Sequence, residues 1–132
     1  MFIRLFTLIV LALAILSIYH YLKSSSSVSY DIPPIDASVF YAEFTQNQAA
    51  AITKYNNQPI KIKGVVADRN KSAGAVVINL ETGNASEGVE CELDAAFPHE
   101  KINFEAGEEV IFKGICVGTI ENEVRIVHCV LE

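Results

Sequence analysis

The chain has 132 residues, 51% of them hydrophobic and 20% charged, with a net charge of −6. That length holds one ordinary domain with an appendage and excludes two full enzymatic domains. So apolar a composition also excludes a disordered chain.

The charge is unevenly placed. Arg4 and Lys23 are the only charged side chains before residue 24, so residues 24–132 carry 8 basic against 16 acidic groups, net −8. Residues 5–22 contain no Asp, Glu, Lys or Arg. As a helix they would reach about 27 Å, close to the hydrocarbon thickness of a bilayer. Tyr19, His20 and Tyr21 sit at one end, where amphipathic rings favour the headgroup zone. We therefore expect residues 1–23 to be an uncleaved signal-anchor that spans the membrane once through residues 5–22. A cleaved export signal is the competing reading, because Ala12-Leu13-Ala14 has the small-x-small form a signal peptidase requires. Cutting there would leave an apolar stub. Arg4 before the segment, against Lys23 alone just after it, places the N-terminus inside and the C-terminal domain outside the cytoplasm, in the periplasm. Residues 24–35 form a polar tether stiffened by Pro33-Pro34, and the folded domain is expected over residues 36–132.

Asp36 is a helix cap, and the spacing of Phe40, Phe44, Gln48, Ala51 and Tyr55 predicts one helix over residues 37–55 with a mostly apolar face. After Pro59 the period drops to two. Ile60, Ile62, Gly64 and Val66 mark a first strand. Val76, Ile78 and Leu80 mark a second, and Val89, Cys91 and Leu93 a third. After an irregular link, residues 109–118 and 123–131 give a fourth and a fifth strand. Ile60-Lys61-Ile62-Lys63-Gly64 and Val110-Ile111-Phe112-Lys113-Gly114 echo one another. A glycine inside a strand marks a bend or a close backbone approach. Five short strands with such glycines predict a mainly β fold, a five-stranded Greek-key barrel behind an α-helix, with an open sheet covered on one face by the helix as the alternative.

Ala50 to Tyr55, the Ile-Lys-Ile-Lys-Gly-Val-Val strand at 60–66, Val89-Glu90-Cys91-Glu92-Leu93, Lys113-Gly114-Ile115-Cys116 and Val127-His128-Cys129 are ordered as in a known family. With these elements the chain resembles the tRNA-anticodon-like OB-fold family of small bacterial envelope proteins, many of them lipoproteins. The resemblance covers about residues 37–132 and implies an OB-fold barrel. It supplies no catalytic residue, and this chain lacks the lipid-bearing cysteine of the lipoprotein members.

OB folds bind ligands across the face of their second and third strands. Here that face, with its rim, consists of Lys61, Asn79, Glu90, Glu92 and Asp94, which is our candidate ligand-binding face. Three carboxylates where phosphates would lie favour a protein or glycan ligand, so nucleic acid is not the expected partner. The alternative is a single-stranded nucleic-acid binder using the basic residues Lys61, Lys63, Arg69 and Lys71. Cys91, Cys116 and Cys129 lack metal-site spacing, and His128 points away from Cys129 on its strand, so no metal and no cofactor is expected. Cys116 and Cys129 lie at similar distances from a hairpin loop near Asn122. They are the candidate disulfide, with Cys91–Cys129 as its rival. No nucleophile–base arrangement stands out, and the reading is a binding module without catalysis.

Overall fold

The structure is a computed structural model that describes residues 10–19, 31–84 and 87–132. The chain divides into two compact units, Met1–Asp31 and Ile32–Glu132. In the first, residues 10–19 are helical. Among the described residues no helix is long and apolar enough to cross a membrane. The expected span over residues 5–22 extends at both ends outside the described residues.

The second unit opens with a two-residue strand, β1 (Ile35–Asp36), which the sequence reading missed and which pairs in parallel with Ile62 and Lys63. Asp36 then caps α1 (Ala37–Gln46), its carboxylate accepting from the Ser38 amide at 3.0 Å. The single helix expected over 37–55 is instead two, α1 and α2 (Gln48–Tyr55). The break is at Asn47, whose backbone leaves the helical region at φ −152° and ψ 85°. Its side chain accepts from the Ala50 amide at 3.1 Å and so caps the second helix. A short amide side chain competes with the helical ladder for backbone groups, and here the competition ends one helix and starts the next.

Five further strands follow: β2 (Pro59–Ser72), β3 (Ala75–Leu80), β4 (Val89–Leu93), β5 (Glu109–Ile120) and β6 (Glu123–Leu131). The sheet order is β1-β2-β3-β4-β6-β5, and β2 pairs again with β5, closing the sheet on itself. Apart from the small β1, this is the OB-like barrel expected, with a sixth strand stitched to its edge. All pairs among β2–β6 are antiparallel except β4–β6. Closure is made by one long strand. Residues 59–65 of β2 pair with β5, and residues 66–72 pair with β3 across a bulge between Val66 and Asp68.

The core runs through the barrel and under the helices. Phe40, Ile62, Ile78, Phe112 and Ile126 are fully buried. The Phe40 ring meets Phe44 and Tyr55 edge-on at 5.2 and 4.9 Å, and Phe104 meets Phe112 at 5.6 Å. Such pairs add to the apolar area they bury. Gly64 and Gly114 occupy close approaches, as the repeated Lys-Gly suggests. A Cβ at Gly64 would lie 3.0 Å from the Cβ of Ala37, and one at Gly114 would lie 2.7 Å from Cγ2 of Ile126.

The expected Cys116–Cys129 disulfide is not formed. All three cysteines are free and fully buried. The two-residue turn is Glu121-Asn122, so the ladder that starts at Ile120–Glu123 leads Cys116 toward Val127 and not Cys129, and the shift between Cys116 and Gly118 moves it one residue further, opposite Ile126. Cys129 is instead opposite Leu93 of β4. His128, at φ 54°, lies in the bulged stretch that moves it there. A bulge displaces every pairing beyond it.

Candidate binding site

The outer faces of β3, β4 and β6 meet in one row. Val89, Cys91 and Leu93 turn inward and are buried, leaving Glu90 and Glu92 half-buried on the outer side. Asn79 of β3 stands opposite Glu90, and Glu90 stands opposite Arg125 of β6. Oε2 of Glu90 accepts from Nε and Nη2 of Arg125 at 2.9 and 2.6 Å. Glu123 lies two residues before Arg125 and therefore on the same face.

This places two carboxyl groups beside one guanidinium. Burial works to raise the Glu90 carboxyl, but hydrogen bonds from Glu123 and Arg125, with the guanidinium's charge, outweigh it and hold the group below its ordinary value. Glu123 moves the other way. Its hydrogen bond to Glu90, then burial and the like charges of Glu90 and Glu121, push it up to about 7. Two adjacent carboxyls cannot both ionise freely, so Glu123 keeps a proton that Glu90 has lost.

Beside this group opens a cavity of about 510 Å³, lined by Asp68, Asn79, Glu81, Asn84, Glu87, Glu90 and Glu123 among others. Glu87 accepts from the Tyr41 hydroxyl at 2.7 Å and from the Asn122 side-chain amide at 3.4 Å, which ties the cavity wall to α1 and to the β5–β6 turn. Burial, and then Glu87, push the Tyr41 hydroxyl up. Oδ1 of Asn79 is buried and finds no hydrogen-bond partner among the described residues. The wall is thus dominated by acceptors.

Of the five residues proposed for the face, the structure brings Asn79, Glu90 and Glu92 together. Asp94 lies just past β4, where its carboxylate accepts from the Ala96 amide at 2.9 Å and lies 3.5 Å from Nδ1 of His128. Lys61 is elsewhere. It pairs with Lys113 of β5, is buried, and its Nζ lies 2.6 Å from Glu132. The four basic residues of the alternative patch are also separated. Lys61 and Lys63 precede the β2 bulge and pair with β5, whereas Arg69 and Lys71 follow it and pair with β3. Arg69 donates to the Ile102 carbonyl and to Oδ1 of Asn103 at 3.1 and 2.8 Å, holding the link after β4. Glu123, Arg125, Glu87 and Asp68 escaped the sequence reading. Alternation between buried Val124 and Ile126 points Arg125 outward, but its pairing with Glu90 depends on a non-local parallel register. Among the described residues no group of three or more His, Cys, Asp or Glu side chains is arranged to hold a metal ion.

A model of the tRNA_anti-like family matches residues 2–130. No curated protein matches the sequence. Among solved structures, the chain is similar to a lipoprotein of Klebsiella pneumoniae subsp. pneumoniae MGH 78578, named provisionally as nucleic acid-binding. The two share 16% identity over 76% of this chain and 92% of that one, with a TM-score of 0.58. That likeness establishes a shared fold. The telomere capping protein Ten1 from Saccharomyces pombe matches at 13% identity over 76% of this chain and 81% of its own, with a TM-score of 0.41. The S. pombe Stn1-Ten1 complex matches at 13% identity over 78% of each chain, with a TM-score of 0.40. At those scores neither carries an argument.

Proposed function

The chain belongs to the tRNA_anti-like family, and from that premise we propose that it is a membrane-anchored, envelope-facing binding module that acts without catalysis. The apolar stretch at residues 5–22, with Arg4 before it, supports the anchor and its orientation. The observation that carries the binding reading is the acceptor-rich cavity beside β3, β4 and β6. Asp68, Glu81, Glu87 and Glu90 line it, and Oδ1 of Asn79 lacks a partner there. A ligand that satisfies such a wall brings hydrogen-bond donors and positive charge, as a lysine or arginine side chain of a partner protein does. Glu90 is already engaged by Arg125, so the carboxyl pair works as a clamp between strands rather than as an acid with a free base beside it.

Calorimetric titration of the full chain with arginine- and lysine-bearing peptides tests the reading. Binding that weakens with salt and is lost in Glu87→Gln and Asp68→Asn supports it. Absence of binding at low ionic strength, or binding that both substitutions leave unchanged, overturns it.

A second reading, a single-stranded nucleic-acid binder, takes its support from the family's name and from the name of the Klebsiella lipoprotein. Its residues would be Arg69 and Lys71 on the β2–β3 hairpin. An oligonucleotide titration separates the two readings, because phosphate binding falls steeply with salt and ignores Glu87→Gln.

A further inference from the structure

Cys91 and Cys129 belong to β4 and β6, the one parallel pair within the barrel, and both are fully buried in the same core. Cys91 stands opposite Ile126 and Leu93 opposite Cys129, with the register shift between them. The one extra residue of β6 at this point places Cys129 opposite Leu93, two positions along from Cys91 and on the same inward face. Two further observations show that the site is shaped around the Cys129 sulfur. Its Sγ donates to the Ile126 carbonyl at 3.4 Å. On the other side lies Gly114, where a Cβ would come within 2.9 Å of that sulfur. The missing side chain leaves room for it. Burial, and after it the neighbouring Cys129, push the Cys91 thiol well up. Cys116 is on the far strand of the hairpin, opposite Ile126.

We propose that Cys91 and Cys129 close into a disulfide that ties β4 to β6 across the bulge when the chain folds in the presence of a disulfide oxidant. The proposal needs export only for its setting in the cell; the pairing itself rests on the barrel. The thiolate of Cys129 displaces one thiol from the donor disulfide and forms a mixed disulfide. The thiolate of Cys91 then attacks Sγ of Cys129 and expels the second donor thiol. The two protein thiols lose two electrons and two protons in all, and the donor leaves as two thiols. In the folded barrel neither sulfur is exposed, so the exchange takes place before β6 seals against β4.

The test is made on the full chain, reduced in denaturant and refolded in a glutathione–glutathione disulfide buffer. Free thiols are then capped with N-ethylmaleimide in denaturant, and the tryptic peptides are mapped. Lys101, Lys113 and Arg125 separate the three cysteines onto different peptides. The expected result is capping at Cys116 alone, a linked Cys91–Cys129 peptide, and the same link in Cys116→Ser. Three capped thiols, a bond that includes Cys116, or a stable glutathione adduct at Cys91 or Cys129 overturns the proposal. The same mapping on envelope fractions alkylated before lysis addresses the cellular setting. Reduced thiols there, with the link formed on refolding, contradict export and leave the pairing standing.

Discussion

Glu123 holds its proton because Glu90, beside it, is ionised and held so by the Arg125 guanidinium. In the unfolded chain Glu123 would titrate near 4.5, and in the barrel it titrates at about 7. The folded state therefore binds more protons between those two values, and stability falls as the pH rises through that window. Thermal melts from pH 5 to pH 8 are expected to show a declining midpoint, and Glu123→Gln is expected to flatten the decline. A wild-type midpoint that holds level or rises over the same range contradicts the assignment. Replacing Arg125 has a different signature. Arg125→Met leaves a half-buried Glu90 carboxylate without its two hydrogen bonds, which costs about 1–3 kcal/mol for bonds to a charged group. Urea unfolding at pH 7 measures that loss. It shrinks in an Arg125→Met, Glu90→Gln double variant, because the stranded charge has gone with its partner.

Alternation and capping are local, and the elements that depend on them were readable. Asp36 caps the first helix as expected, and Val89, Cys91 and Leu93 face inward as their spacing requires. The break at Asn47 was present in the sequence but hidden, since the apolar face continues from Phe44 to Ala51 across it. Periodicity cannot register a break that keeps the face aligned; only the side chain's preference for backbone amides marks it. Asn47→Ala is expected to cost about 1 kcal/mol by removing the cap of α2, measured by urea unfolding. Bulges are a harder case. Those at Val66–Asp68 and in β6 reverse which residues face which neighbour, and no periodic signal announces an extra residue. Lys61 and Lys63 part from Arg69 and Lys71 where β2 changes partner from β5 to β3, at the first of these bulges. Gly114 shows how tightly the bulged region is packed. Gly114→Ala would press its Cβ against Ile126, the Val127 carbonyl oxygen and the Cys129 sulfur. Overpacking of this kind costs about 1–3 kcal/mol, and a fall in the urea midpoint of that size is expected.

Across the whole molecule, charge and connectivity set the behaviour. Residues 24–132 carry net −8, and the cavity concentrates that charge beside the β3–β4–β6 face. Single-stranded DNA and RNA are expected not to bind even at low ionic strength, where attraction is least screened. Tight, salt-sensitive binding in a fluorescence titration would move the interface to the Arg69–Lys71 hairpin. The path of β2 carries a further consequence, in time rather than in space. Its second half pairs with β3, a few residues along the chain, while its first half pairs with β5 from the far side of the sequence. A hairpin closes in about 1–10 μs, whereas contacts between distant segments wait on the closure of a long loop. The same strand is thus claimed early at one end and late at the other. Ile78→Val, near the hairpin, is expected to slow refolding. Phe112→Leu, on the closing seam, is expected to speed unfolding and leave the refolding rate nearly unchanged.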